Sequence, residues 1–211
     1  MLSFVRPAVM MIATMTLLTG LAYPLAMTGI AQLLFPWQAN GSLIVRDGKV
    51  VGSALIGQNF TGEAWFHGRP SATTDTDPND ATKTVPSPYN AANSGGSNLG
   101  PTSKALVDRV TQDVARLAAE DPATPVPVDL VTTSASGLDP DITPASALFQ
   151  ASRVARARHL PEDRVRQLVT AHTDGRMAGL LGEPHVNVLE LNMALQALDK
   201  SQVSDGRARQ R

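Results

Sequence analysis

Across residues 7–35 the chain carries no Lys, Arg, Asp or Glu, and the next charge is Arg46. A helix rises about 1.5 Å per residue, so roughly 20 residues cross a hydrocarbon core ~30 Å thick. Inside lipid every backbone polar group needs a partner within the segment, and a lone span therefore has to be a helix. The pattern predicts a transmembrane helix over 7–35, after a short amino terminus over 1–6. A water-exposed domain over 36–200 and a polar tail over 201–211 complete the layout. A cleaved signal peptide is the competing expectation, but its apolar region runs to about 7–15 residues and ends in an A-x-A-like site. Here the small pair Ala22 and Ala26 is separated by Tyr23-Pro24-Leu25, and the retained anchor is the better fit. Arg6 is the one charged side chain before the span. The positive-inside rule then puts the amino terminus in the cytoplasm and the domain on the outer side.

The span has more texture than a plain anchor requires. Ala13, Thr16 and Gly20 share a face at helical spacing, and Ala22 and Ala26 lie four apart on another. Small residues let a neighbouring helix approach closely where lipid supplies no hydrophobic drive for association. Both stripes are candidate packing positions for a partner helix. Pro24 is expected to kink the helix.

About 175 residues follow the span, enough for one ordinary domain with its own core. The 211-residue chain has a net charge of −1, which gives no electrostatic reason for a nucleic-acid partner. It has no Cys, excluding a thiol nucleophile and a disulfide framework. Leu43-Ile44-Val45 and Val50-Val51 flank Asp47-Gly48, a hairpin signature; Gly52 to Gly57 would prolong the second strand. No periodicity organises 61–101. A helix is expected from Pro101, with Leu106, Val110, Val114 and Leu117 on its inner stripe, ending at Asp121-Pro122. Val128 to Thr133 suggests a strand. Thr143 before Pro144 looks like a helix cap, Pro161 opens another helix, and Asn187 with Glu190 resembles a capping box. The domain is expected to be α+β.

The chemistry is sparse. Asp75-x-Asp77-x-Asn79 starts like a calcium loop, but Asp80 stands where Gly is needed and Pro86 where Glu is needed. His67, His159, His172 and His185 have no paired ligand spacing, so no metal site is expected. Arg153, Arg156, Arg158, Arg164 and Arg166 fit a solvated or protein-facing helix surface. Gly95 and Gly100 have the spacing of P-loop glycines, but Pro101 replaces the Lys and no apolar strand precedes them. A helix start can still favour an anion. No triad, dyad or metal cluster assembles, and no catalytic residue is assigned.

Together, several motifs resemble the C subunit of the Kdp potassium-transporting P-type ATPase. They are Gly52-Ser53-Ala54-Leu55-Ile56-Gly57-Gln58-Asn59-Phe60, Phe66-x-x-Arg69-Pro70-Ser71-Ala72, Tyr89-Asn90, and Ser94-Gly95-Gly96-Ser97-Asn98-Leu99. Further along come Ser134-Ala135-Ser136-Gly137-Leu138-Asp139, Gln150-x-x-Arg153-Val154-Ala155 and Val186-Asn187-Val188-Leu189-Glu190-Leu191-Asn192. The resemblance implies a non-catalytic accessory subunit of a bacterial inner-membrane complex that hydrolyses ATP to import potassium. Its partners would be a channel-like, a P-type and a small subunit. It also implies a role in assembly and as a catalytic chaperone that raises the hydrolysing subunit's affinity for ATP. Ser94, Gly95, Gly96, Ser97, Asn98 and Gln150 are then the implied nucleotide contacts. That implication collides with the topology expected from Arg6, because an extracytoplasmic domain never meets cytosolic ATP. An independent membrane-anchored nucleotide-binding protein is the alternative.

Overall fold

The computed structural model describes residues 2–208, with side chains over 3–198. The expected polar tail over 201–211 therefore lies outside the described side chains. The chain forms two compact units, Met1–Ser53 and Ala54–Arg211.

In the first unit one apolar helix runs Val5–Leu34, long and apolar enough to cross a membrane. It consists of α1 (Val5–Leu17), a π-helical turn (Leu18–Ala22) and α2 (Tyr23–Leu34). The π turn lies directly ahead of Pro24, where a kink is expected. Pro24 cannot donate to the Gly20 carbonyl and its ring crowds that turn. Widening the turn just ahead of it sends the Tyr23 N–H to Leu18 O instead. Residues 3–35 are exposed apart from half-buried Ala31. The helix exit is a local frame. Gln32 and Asn40 join their side-chain amides, α3 (Pro36–Ala39) adds one turn, and Trp37 Nε1 donates to Leu43 O at 3.1 Å. The hairpin β1 (Leu43–Arg46) and β2 (Lys49–Ser53) follows, antiparallel as expected. Asp47 (φ 51°) and Gly48 (φ 74°) make the two-residue turn, where positive φ at both centres matches the strand twist.

The second unit mixes helices with short strand pairs. Its main core gathers Phe66, Ile142, Val154, Val165, Val169, Leu191 and Leu195, all essentially buried. A smaller cluster joins Leu117, Leu130, Val131 and Phe149. Helix α4 (Lys104–Glu120) contributes Leu117 from the expected stripe. Helices α5 (Pro144–Arg158) and α6 (Glu162–Ala171) follow one another and pack together, joined across His159 at φ 55°. Helix α7 (Val188–Ala208) closes the core. The strands β5 (Asp141–Ile142) and β6 (Val186–Asn187) pair antiparallel directly ahead of α5 and α7. That two-residue ladder pins the starts of both helices side by side. Thr143 Oγ1 accepts the Ser146 N–H at 3.2 Å, and Asn187 Oδ1 accepts the Glu190 N–H at 3.1 Å, so both expected caps form.

Four local expectations are corrected. Strand β2 stops at Ser53, because the chain turns at Ala54-Leu55 and brings the Gly57 N–H to Leu138 O at 2.8 Å. The stretch 61–101 contains a hairpin, β3 (Thr74–Asp77) with β4 (Asp80–Pro86). It has no apolar face, so period-two hydrophobicity could not reveal it. Helix α4 starts at Lys104 after an extended Ser103 rather than at Pro101. Val128–Leu130 is a 3-10 turn, not a strand. There the buried Asp129 carboxylate accepts the Thr143 N–H at 2.8 Å and the Ser146 hydroxyl at the start of α5, and this bonding to another element overrides β propensity.

Candidate functional site

Residues 62–73 run in irregular conformation past α4, α5 and α7, and here the domain concentrates its polar contacts. Phe66 is fully buried, so its backbone groups need partners inside the protein. Asn192 of α7 supplies both: the Phe66 N–H reaches Oδ1 at 2.9 Å and Nδ2 donates to Phe66 O at 2.9 Å. Gln150 of α5 does the same one residue on. The His67 N–H donates to Oε1 at 2.8 Å and Nε2 donates to His67 O at 3.1 Å. Two side-chain amides thus pair with consecutive residues as a neighbouring strand would.

The second bonds of Gln150 are filled as well. Nε2 also donates to Ser146 O at 3.3 Å, and Arg153 Nη2 donates to Oε1 at 2.8 Å. With four contacts the amide has reached its full inventory. Arg153 then carries the frame outward. Its Nη1 donates to Glu63 O at 2.7 Å and Trp65 O at 3.1 Å, and Nε faces Glu120 Oε2 at 3.1 Å, off the line a hydrogen bond needs. Burial pulls the Arg153 guanidinium below its usual range, against the pull of Glu120. Arg158 Nε donates to Ala64 O at 2.6 Å, and the guanidinium lies 4.3 Å from the Trp65 ring centre. The arginines therefore divide: Arg153 is a buried tie rather than a solvated surface residue.

Further along, Arg69 Nη1 donates to Asp139 Oδ2 at 2.9 Å while Tyr89 OH donates to Arg69 O at 2.7 Å. Burial, with Asp139 nearby, pushes the Tyr89 phenol up to about 12. The ring fills the space a side chain would need at two glycines: a Cβ on Gly57 would meet Tyr89 Cε1 at 2.4 Å, and one on Gly68 would meet the phenol oxygen at 2.3 Å. Beside this wall lies a cleft of about 400 Å³, lined among others by His67, Arg69, Asp113, Arg116, Gln150 and Arg153. Burial, then Arg153, holds the His67 imidazole below its usual range, and Nε2 meets Gly62 O at 2.8 Å.

The glycine-rich residues 94–98 do not line that cleft. They pack along 133–137: the Gly95 N–H donates to Ser136 O at 2.9 Å, Ser94 Oγ to the same oxygen at 3.0 Å, and Thr133 Oγ1 to Ser97 Oγ at 3.3 Å. A Cβ on Gly96 would stand 2.9 Å from Ala135 O, so glycine there permits close backbone approach. Asn98 takes a positive φ of 51°. Of the small residues on the apolar helix, Ala13, Thr16, Gly20, Ala22 and Ala26 are all exposed. No group of three or more His, Cys, Asp or Glu able to hold a metal occurs among the described residues. Asn192 and Arg69 received no role from sequence. A signal for the first existed: Asn192 falls on the apolar stripe of Val188, Leu191 and Leu195, as Gln150 falls on that of Ala147, Ala151 and Val154. A polar amide inside such a stripe marks a buried hydrogen-bonded group.

These features define a protein with one described helix long and apolar enough to cross a membrane, and an α+β domain whose buried polar side chains build its own frame. The family model described as K+-transporting ATPase, c chain (KdpC) matches residues 5–197, and the chain belongs to that family. Curated relatives agree over nearly full length. The potassium-transporting ATPase KdpC subunit of Methylobacterium nodulans is 69% identical over 198 residues, 94% of this chain and 98% of the relative. Those of Rhodopseudomonas palustris (strain BisB18) and Bradyrhizobium diazoefficiens are 68% and 67% identical, over 93% and 92% of this chain and 99% and 97% of the relatives.

Proposed function

We propose that this chain is the non-catalytic accessory subunit of a high-affinity, ATP-driven potassium uptake complex of the bacterial inner membrane. Its amino-terminal helix anchors it, through Ala13, Thr16, Gly20, Ala22 and Ala26, against helices of the channel-like, P-type and small subunits. The amino terminus faces the cytoplasm and the α+β domain stands outside, where it supports assembly and stability. The observation carrying this reading is that one chain holds an exposed helix apolar enough to cross a membrane and a domain in which Ser94, Gly95 and Gln150, among the implied nucleotide residues, are bonded to the protein's own backbone. Raising the hydrolysing subunit's affinity for ATP is then an indirect effect, transmitted through the assembled complex.

The topology is tested with Val107→Cys, a half-exposed position on α4 in a chain that otherwise lacks cysteine. A membrane-impermeant maleimide should label it in intact cells. Labelling only after permeabilisation would put the domain in the cytosol and overturn the reading. The second reading, direct nucleotide contact at Ser94, Gly95, Gly96, Ser97 and Asn98, draws support from the open space beside Gly95 and Gly100. It requires that an azido-ATP analogue label that segment and that Gly95→Val abolish the labelling.

A further inference from the structure

We propose that residues 174–185 form a preorganised docking finger that seats Met177, Leu180 and Leu181 in an apolar pocket on the water-exposed surface of a membrane-embedded partner chain. The three side chains are 73%, 82% and 67% exposed, on a domain whose other large apolar residues mostly enter the core. The loop that carries them is a built element. Asp174 and His185 exchange backbone hydrogen bonds at 2.9 and 3.0 Å at its base. The Met177 N–H donates to Leu181 O at 2.8 Å, and the Leu181 N–H returns to Met177 O at 3.1 Å. Ala178 and Gly179 take positive φ of 51° and 73° to close the tip, and Arg176 Nη2 clasps both carboxylate oxygens of Glu183 at 2.9 and 2.8 Å. A tip ordered before binding loses little conformational entropy on docking, and apolar anchors filling a pocket are where binding energy concentrates.

Size and charge choose the occupant. Three side chains fall far short of the roughly 20–30 residues a side that a free-standing interface engages, which argues against a second copy in solution. A partner held beside the finger by a shared membrane needs no such area, because confinement raises its effective concentration. The finger also lacks what draws loops into headgroups. It has no Trp or Tyr, and its one guanidinium is neutralised by Glu183. A protein pocket fits a rigid, neutral, aliphatic tip better than lipid does.

This inference rests on the subunit role proposed above, and the test separates the two. A photo-crosslinking benzoylphenylalanine is placed at Leu180 in the full chain, co-expressed with the potassium-transporting complex and irradiated in membranes. An adduct with a membrane-embedded partner chain is expected. Adducts with lipid only or with a second copy, or no adduct at all, would overturn the finger while wild-type co-purification left the subunit role standing. Failure of the wild-type chain itself to co-purify would take both down. As a second measurement, Leu180→Asp with Leu181→Asp should cut retention on the complex at least tenfold in dilute detergent, at an unchanged unfolding temperature. Undiminished retention refutes the finger.

Discussion

Replacing Gln150 with Ala separates a frame residue from a ligand contact. The side chain is 2% exposed, and its amide serves His67 N–H, His67 O, Ser146 O and Arg153 at once. Truncation strips both backbone partners from His67 and one acceptor from Arg153. A buried polar group left without a partner costs about 1–3 kcal/mol. His67 lies beside a cleft from which water can reach part of what is lost, so the lower end of that range applies to each group. Two such groups plus a small void come to about 3 kcal/mol. For a chain of this size that corresponds to roughly 6–12 °C in unfolding temperature. Thermal unfolding of the full chain in detergent, followed by circular dichroism, reads it directly. Gln150→Glu keeps the acceptor for the His67 N–H and should fall between wild type and Ala. The ATP concentration dependence of the assembled complex should change only as far as the subunit is lost from it. An unfolding temperature within about 1 °C of wild type, together with a weakened ATP dependence in a fully assembled complex, would refute the structural assignment.

Two further outcomes follow from the same frame. Gly68→Ala should destabilise by forcing its Cβ onto the Tyr89 phenol oxygen, 2.3 Å away, and Tyr89→Phe should rescue it, since the next ring atom stands at 3.3 Å. A double-mutant cycle with additive effects would show that the ring is not what excludes the methyl. His67 has the opposite sign from a typical salt-bridged histidine. Its folded-state value lies below 6.5, so as pH falls through 6.5 the unfolded chain takes up protons first and stability declines until the folded imidazole also titrates. Asp141, raised by burial, works the other way in the carboxylate range. His67→Gln should flatten the decline below pH 6.5 in a pH series of unfolding temperatures; an unchanged slope would assign it to another group.

Much of the helical architecture was legible because its signals are local. An uncharged apolar run long enough for a bilayer admits one backbone solution. Thr143-Pro144 and Asn187-x-x-Glu190 satisfy orphan N–H groups within one turn, and Asp47-Gly48 supplies its own positive φ. The hairpin β3–β4 and the turn at Val128–Leu130 escaped for the converse reason. The hairpin is local but polar on both faces, and the turn is set by a carboxylate that reaches another element, so neither leaves a hydrophobic period.

The long apolar helix, the caps, the tight turn and the family motifs belong to the amino-acid order itself, since each is set by residues near one another in the chain. Which polar residues are buried and what they hold belongs to the tertiary structure. Gln150 meets His67 and Asn192 meets Phe66 across 83 and 126 positions. The reason is geometric: the pairing of β5 with β6, the Val188 N–H to Pro140 O bond and the shared core bring α5 and α7 together. With them come two amides, set against the backbone of Phe66 and His67 in an irregular segment.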